Sequence, residues 1–345
     1  MRGPVREAVG ADWSSAARAV SAAREPLEPF RPARGLGHRQ AQTLLAYALR
    51  RPRTPPLRRE RLETPDGDFL DLDWLDAPPE RPHLLILHGL EGSSASGYVR
   101  QTLLEASAVG WGAVAMNFRS CSGEPNRRLR SYCSGETADP LLVGLHLRSR
   151  IRGPLVAAGF SLGGNALLKL LAETGADAPF DAAAAVSTPF DLQACADALD
   201  RPGGGCAVYR RHFLRSLRRK ALDKLRSHPA HGLDAGRVRQ ARDLQSFDDA
   251  FTAPSYGFAG ARDYYARCSS GPMLGRIRRP TVLLNAEDDP MVPAGSLPAI
   301  SSGDRWLTVL RTPRGGHVGF LEGSLLAPRY WSERQVVRRL AAWVA

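Results

Sequence analysis

Three features of the sequence predict an α/β fold with a doubly wound, mostly parallel sheet and an inserted helical cap. Short apolar runs of strand length alternate with helix-periodic segments from about residue 58 to the C-terminus. The pentapeptide Gly159-Phe-Ser-Leu-Gly163 lies between a buried apolar run and a helical one. The alternation stops over residues 190–278, where helical segments follow one another without a strand.

Taken in order, residues 1–30 form a loose amphipathic segment rich in Ala and Arg, with a helix expected from Trp13 to Arg24. Residues 38–50 read as a short helix. Arg51-Pro-Arg-Thr-Pro-Pro56 is a linker, because its prolines stop any helix. Residues 1–57 are therefore expected to be an N-terminal extension and linker, and 58–345 a single α/β domain. Arg59–Glu63 and Phe69–Trp74 are expected to pair around the turn Pro65-Asp66-Gly67. His83–Leu87 and Gly112–Asn117 read as buried strands, and Gly97–Val109 and Asp139–Arg150 as helices. Leu155–Ala158 is the strand before the pentapeptide. Asn165–Glu173 is the helix after it, with Leu167, Leu168 and Leu171 at helical spacing. Asp181–Ser187, Pro280–Asn285 and Trp306–Leu310 are further strands, and Ser332–Ala345 is a closing helix. Within 190–278, Tyr209–Arg226 places Leu214, Leu217, Ala221 and Leu225 on one face and basic residues on the other. A helical insertion there would cover the C-terminal edge of the sheet, where ligands of such folds bind.

A hydrophobic content of 43% over 345 residues suffices for a sizeable core. The five cysteines are odd in number and lack metal-ligand spacing, so they read as reduced thiols of a cytoplasmic protein. No run approaches the ~18 apolar residues of a membrane span. The N-terminus has no apolar core of a secretory signal. The net charge of +12 is uneven: residues 1–60 hold twelve Arg against five acids, and residues 209–226 eight Lys/Arg against one. Such runs read either as solvated faces or as attraction to an anionic lipid surface or nucleic acid. No nucleic-acid recognition motif accompanies them, so none is expected as a partner.

The pentapeptide in its strand–turn–helix setting is the context of a nucleophile elbow, with Ser161 held in a strained turn at the positive end of a helix. Gly159 and Gly163 relieve crowding there, and Gly164 lets the helix pack close. Acyl transfer also needs two backbone N–H groups aimed at the developing oxyanion. Leu162 supplies one, and Leu90, in His88-Gly-Leu-Glu-Gly92 after a strand, supplies the other. His88 reads as a structural residue pinning that loop. An acid is expected past the Leu283–Leu284 strand. Asp289 is preferred, with Asp288 its rival and Glu287 third, and a solvated acidic turn accounts for two of the three. His317, on the loop Arg311-Thr-Pro-Arg-Gly-Gly-His317, follows the last strand and comes after the acid. The order Ser161, Asp289, His317 completes the expected set. This chemistry requires no metal and no organic cofactor.

Together these residues resemble the α/β-hydrolase superfamily, and more narrowly its YheT-type, ABHD1/ABHD3-like, hydrolases. The narrower likeness rests on Gln42-Thr43-Leu44, His88-Gly-Leu-Glu-Gly-Ser93, Asn117-Phe-Arg-Ser-Cys-Ser-Gly-Glu-Pro-Asn126, Gly159-Phe-Ser-Leu-Gly-Gly-Asn165, Phe247-Asp-Asp, Tyr264-Tyr265, Asp288-Asp-Pro290 and Gly315-Gly-His-Val-Gly-Phe320. It covers roughly residues 30–345. It implies a serine hydrolase with a helical cap, acting on carboxylic esters or acyl lipids in the manner of a carboxylesterase or acylglycerol lipase, with Ser161, Asp289 and His317 as catalytic residues. Arg119-Ser-Cys121 departs from the Arg-Gly-Cys that the resemblance leads one to expect. Phe213, Leu214, Phe251 and Phe258 are candidates for an acyl-chain pocket or for the cap's own core. The basic face of Tyr209–Arg226 is a candidate for peripheral contact with an anionic membrane. A thioesterase, amidase or peptidase would use the same three residues, and a non-catalytic binding protein on this scaffold is the remaining alternative.

Overall fold

The computed structural model describes residues 28–53, 56–201, 205–230, 232–299 and 304–344. The helix expected over Trp13–Arg24 lies outside the described residues. The first described helix, α1 (Arg39–Leu49), precedes the sheet. Strands β1 (Arg58–Glu63) and β2 (Phe69–Leu75) pair antiparallel, and Arg59 and Arg61 lie opposite Asp73 and Asp71 in that register. Each arginine donates two parallel N–H bonds of 2.8–2.9 Å to its partner carboxylate. Opposite charges directly across a ladder hold the register of an edge that is otherwise polar.

The remaining strands are mainly apolar. They are β3 (His83–Leu87), β4 (Gly112–Asn117), β5 (Leu155–Phe160), β6 (Ala182–Val186), β7 (Thr281–Ala286) and β8 (Leu307–Thr312). Strands β3 to β7 are buried along their whole length, as expected of a sheet covered on both faces. Strand order is β1-β2-β4-β3-β5-β6-β7-β8, and every pair from β4 to β8 is parallel. Leu85 and Leu87 turn to one face of β3, Leu84 and Ile86 to the other. The first face packs against α3 (Ala138–Arg148) and α4 (Leu162–Thr174). The second packs against α2 (Gly97–Ala108) and the closing helix, α11 (Trp331–Val344). The chain leaves β3 for β4 on one side and returns to β5 on the other. The loops after β3 and β5 therefore flank the crevice at which this strand order reverses.

Between β6 and β7 run α5 (Leu192–Asp200), α6 (Ala207–Ser227), α7 (Ala235–Gln240), α8 (Leu244–Phe247), a π-helical turn (Asp248–Thr252), α9 (Ala253–Ser255) and α10 (Ala261–Cys268). This insertion has its own apolar clusters, one around Leu214, Leu225 and Phe251 and another around Tyr264 and Ala253. A short hairpin, β9 (Leu321–Gly323) and β10 (Pro328–Tyr330), precedes α11.

Two boundaries differ from the sequence reading near the site. β5 runs on through Gly159 and Phe160, because both pair with β6 (Gly159 with Ala185, Phe160 with Val186). The next helix begins at Leu162 rather than Asn165, so no residue separates it from Ser161. The segment before β1 also packs on the fold. Gln42, fully buried, donates to the Leu36 and Leu321 carbonyls and accepts from the Leu321 N–H. Arg50 forms a buried ion pair of 3.1 Å with Glu333 of α11.

Candidate active site

Ser161 has φ +52°, a left-handed conformation in a residue with a side chain. Its N–H is fixed by the Val186 carbonyl at 2.8 Å. The neighbouring glycines are required by contact. A Cβ on Gly159 would stand 2.4 Å from the Gly163 carbonyl oxygen, and one on Gly163 would stand 2.5 Å from those of Leu87 and His88. Strand, helix and the loop after β3 thus meet at backbone distance beneath the serine hydroxyl. Asn165, one turn into α4, is fully buried. It donates to the Ser134 and Cys268 carbonyls at 2.8 Å and accepts from the Ser270 N–H, tying the elbow helix to the end of the insertion.

His317 joins the serine to an acid. Its Nε2 lies 2.9 Å from Ser161 Oγ and its Nδ1 2.8 Å from Asp289 Oδ2. Asp289 Oδ1 accepts the N–H groups of Met291 and Val292 at 2.8 and 3.1 Å, so the carboxylate has one oxygen left for the imidazole. That oxygen accepts, which puts the ring proton on Nδ1 and leaves Nε2 to accept from the serine hydroxyl. The structure separates the three acids of the 287–289 turn. Asp289 meets His317, and Glu287 faces solvent. Asp288 is not part of a solvated turn: its Oδ1 accepts the Gly316 N–H at 2.9 Å, and burial pushes its pKa up. It holds the histidine loop from behind.

Other groups do the same from farther away in sequence. Thr43 Oγ1 accepts the His317 N–H at 2.9 Å. Arg50 donates to the carbonyls of Val318 and Gly319. Ser187 Oγ accepts the Val318 N–H at 3.0 Å. Gln42-Thr43 belongs to the motif set, but the sequence alone assigns the pair no task. The threonine's partner is 274 residues distant, so no local pattern points to the contact.

The loop after β3 brings Leu90 to the same place. Leu90 and Leu162 both line the pocket that contains Ser161 and His317. Leu162 is the first residue of α4, so its N–H has no acceptor within the helix. His88 pins the loop as expected. Its Nε2 accepts the Phe118 N–H at 3.1 Å, and its Nδ1 donates to the Gly89 carbonyl at 2.7 Å. Complete burial lowers its pKa to about 4, so it stays neutral. The sequence alone assigns Glu91 no role. It has φ +55°, and its N–H donates to Tyr132 Oη at 2.8 Å. Its buried carboxylate accepts from Tyr132 Oη, from Ser216 Oγ and from Lys220 Nζ, the last two on α6 of the insertion. Leu90 therefore sits between a pinned histidine and a glutamate held by the insertion.

The pocket over Ser161 is mostly apolar, walled by Leu192, Leu199, Phe213, Leu217, Phe247 and Met291 among others. Of the four insertion residues named as candidates, Phe213 lines it. Leu214 and Phe251 belong to the insertion's core, and Phe258 packs on Tyr256 and Tyr264. Among the described residues Asp248 is the one carboxyl in the wall. Tyr265 Oη donates to it at 2.6 Å, and burial pushes its pKa up to about 6. Ser120 of the Arg-Ser-Cys loop takes φ +63°, the conformation a glycine would adopt there, and its Oγ bonds the Asn126 side chain and N–H. Among the described residues no group of three or more His, Cys, Asp or Glu side chains is placed to hold a metal ion. No described helix is long and apolar enough to cross a membrane.

The family model of the alpha/beta hydrolase fold matches residues 82–324. The chain belongs to the α/β-hydrolase family. Within it, the chain is 41% identical over 312 residues to YheT of Escherichia coli K12, an esterase by name, covering 89% of this chain and 91% of that one. It is 32% identical over 281 residues to the phospholipase ABHD3 of Mus musculus, covering 78% and 68% respectively. An esterase of Pyrococcus furiosus shares the fold, with a TM-score of 0.53 at 14% identity over 91% of this chain and all of that one. The YheT/ABHD3-like grouping expected from the motifs is thereby shown, as is the fold class.

Proposed function

We propose that this hydrolase cleaves carboxylic esters through an acyl-enzyme formed on Ser161. The observation that carries the reading is the continuous pair of hydrogen bonds from Asp289 through His317 to Ser161, at 2.8 and 2.9 Å. His317 Nε2 takes the hydroxyl proton as Ser161 Oγ attacks the ester carbonyl. Asp289 keeps the Nδ1 proton in place and stabilises the imidazolium that forms. The N–H groups of Leu90 and Leu162 receive the negative charge on the carbonyl oxygen. His317 then gives the proton to the departing alcohol. Water, deprotonated by the same nitrogen, releases the acid and restores the serine. The residues 58–345 act as the hydrolase domain, with the insertion as its cap.

An apolar pocket wall fits the acyl part of such an ester. The esterase and phospholipase names of the relatives point the same way. Labelling with a fluorophosphonate probe, with mass mapping of the modified peptide, tests the reading. Label on Ser161 that is lost in Ser161→Ala supports it. An unlabelled, folded wild type that turns over no p-nitrophenyl ester defeats it in favour of a binding protein. Esters tested beside thioesters and amides of the same acyl group separate the esterase reading from the other uses of the same three residues.

A further inference from the structure

Helix α6 has two unlike sides. Phe213 and Leu217 on one side line the pocket. The other repeats Val208, Arg211, Arg215 and Arg219 at helical spacing, all exposed. Among the described residues these three arginines are joined to no carboxylate, and the one acid of the helix, Asp223, already pairs with Arg226. Helix α1 lies against the start of α6. Gln40 accepts from Tyr209 Oη and donates to the Gly205 carbonyl, and the Tyr47 ring meets that of His212 at 6.3 Å. Through this contact Tyr47, 75% exposed, and Val208, 62% exposed, fall on one surface. Leu44, one turn before Tyr47, extends it.

A purely solvated face does not account for an exposed tyrosine, valine and leucine on two adjoining helices. A nucleic-acid backbone would match the arginines and leave those three with nothing to touch. An anionic bilayer matches both. Guanidinium groups pair with lipid phosphates, a tyrosine suits the headgroup boundary, and short aliphatic side chains sink just below it. We propose that the α1–α6 surface docks on an anionic phospholipid membrane. Docking then places the outer side of α6 on the lipid while its inner side walls the pocket. Binding itself does not rest on the catalytic reading, so the two can fail separately.

Flotation of the full chain with phosphatidylcholine vesicles, with and without phosphatidylglycerol, tests the proposal. The wild type is expected to float with the anionic vesicles at low salt and to be released as salt rises. Arg211→Ala and Arg215→Ala should each weaken binding about fivefold, from ~1 kcal/mol per basic side chain at the surface. Tyr47→Ser should weaken it further and independently of salt. All three should hydrolyse a short, soluble p-nitrophenyl ester at the wild-type rate, which also reports that they are folded. A wild type that stays with the pellet at low salt overturns the proposal, as does an Arg211→Ala/Arg215→Ala protein that floats equally well. Retardation of a duplex oligonucleotide without flotation would assign the arginines to nucleic acid and overturn it. Dimerisation lost in Tyr47→Ser, without flotation, would assign the surface to a second copy and do the same. Flotation of a protein inert to fluorophosphonate leaves the docking surface standing and removes the hydrolase reading.

Discussion

Ser161, His317 and Asp289 each occupy a position from which one hydrogen bond reaches the next, and their loss should be read in turnover before stability. Ser161→Ala is expected to lower kcat by about 10⁴-fold or more on a p-nitrophenyl ester. Its melting temperature should hold, because alanine at φ +52° is no more strained than serine there. The two adjacent aspartates should part sharply. Asp289→Asn replaces an oxygen that fixes the imidazole proton, and kcat should fall by about 10³- to 10⁴-fold. Asp288→Asn keeps an oxygen that can accept the Gly316 N–H, and kcat should change by about twofold or less. Equal losses in the two variants would mean that the acid has been misassigned.

Elements meet at the site through backbone contacts and one buried charge. A methyl group on Gly163 has no space between α4 and the Leu87–His88 carbonyls, so Gly163→Ala should destabilise the protein by about 3 kcal/mol in urea unfolding. Glu91 connects the loop carrying Leu90 to Ser216 and Lys220 of α6. Lys220→Met removes the charged partner that a nearly buried carboxylate has among the described residues and should cost about 3 kcal/mol. Glu91→Gln keeps an oxygen for Ser216 and Tyr132, and should lower kcat with little change in KM if the loop is displaced from the oxyanion. A change in KM alone would mean that the pair only closes the pocket.

The whole molecule should respond to acid partly through His88. Its ordinary pKa of 6.5 falls to about 4 in the folded state, so the folded form resists protonation. Between those two values the unfolded chain binds the proton and the folded chain does not. Stability therefore falls as pH drops from 6.5 to 4, by on the order of 3 kcal/mol from this group. Above 6.5 the group contributes no pH dependence. In His88→Gln that term is absent, so the stability gap to wild type should narrow as pH falls through this window. Urea titrations at several pH values measure it, and a gap independent of pH would show that the imidazole is not held neutral.

The fold class and Ser161 were legible in the sequence because both are written in local chemistry. Alternating apolar runs specify strands covered on two faces, and a glycine on either side of a serine marks a turn too tight for other residues. His317 and the acidic turn were legible by their order along the chain and their places after strands. Local pattern favours Asp289 but keeps Asp288 as a rival, since carboxylates on one turn differ chiefly in where the backbone points them. The roles of Thr43, Arg50 and Glu91 were not legible at all. Thr43 and Arg50 work through hydrogen bonds to residues more than 260 positions away, and Glu91 through contacts to a helix that belongs to the insertion. Side chains of that kind acquire a function only when the sheet has closed and set the loops after β3, β5, β7 and β8 along one edge. Until then nothing in their own neighbourhood distinguishes them from surface polar residues.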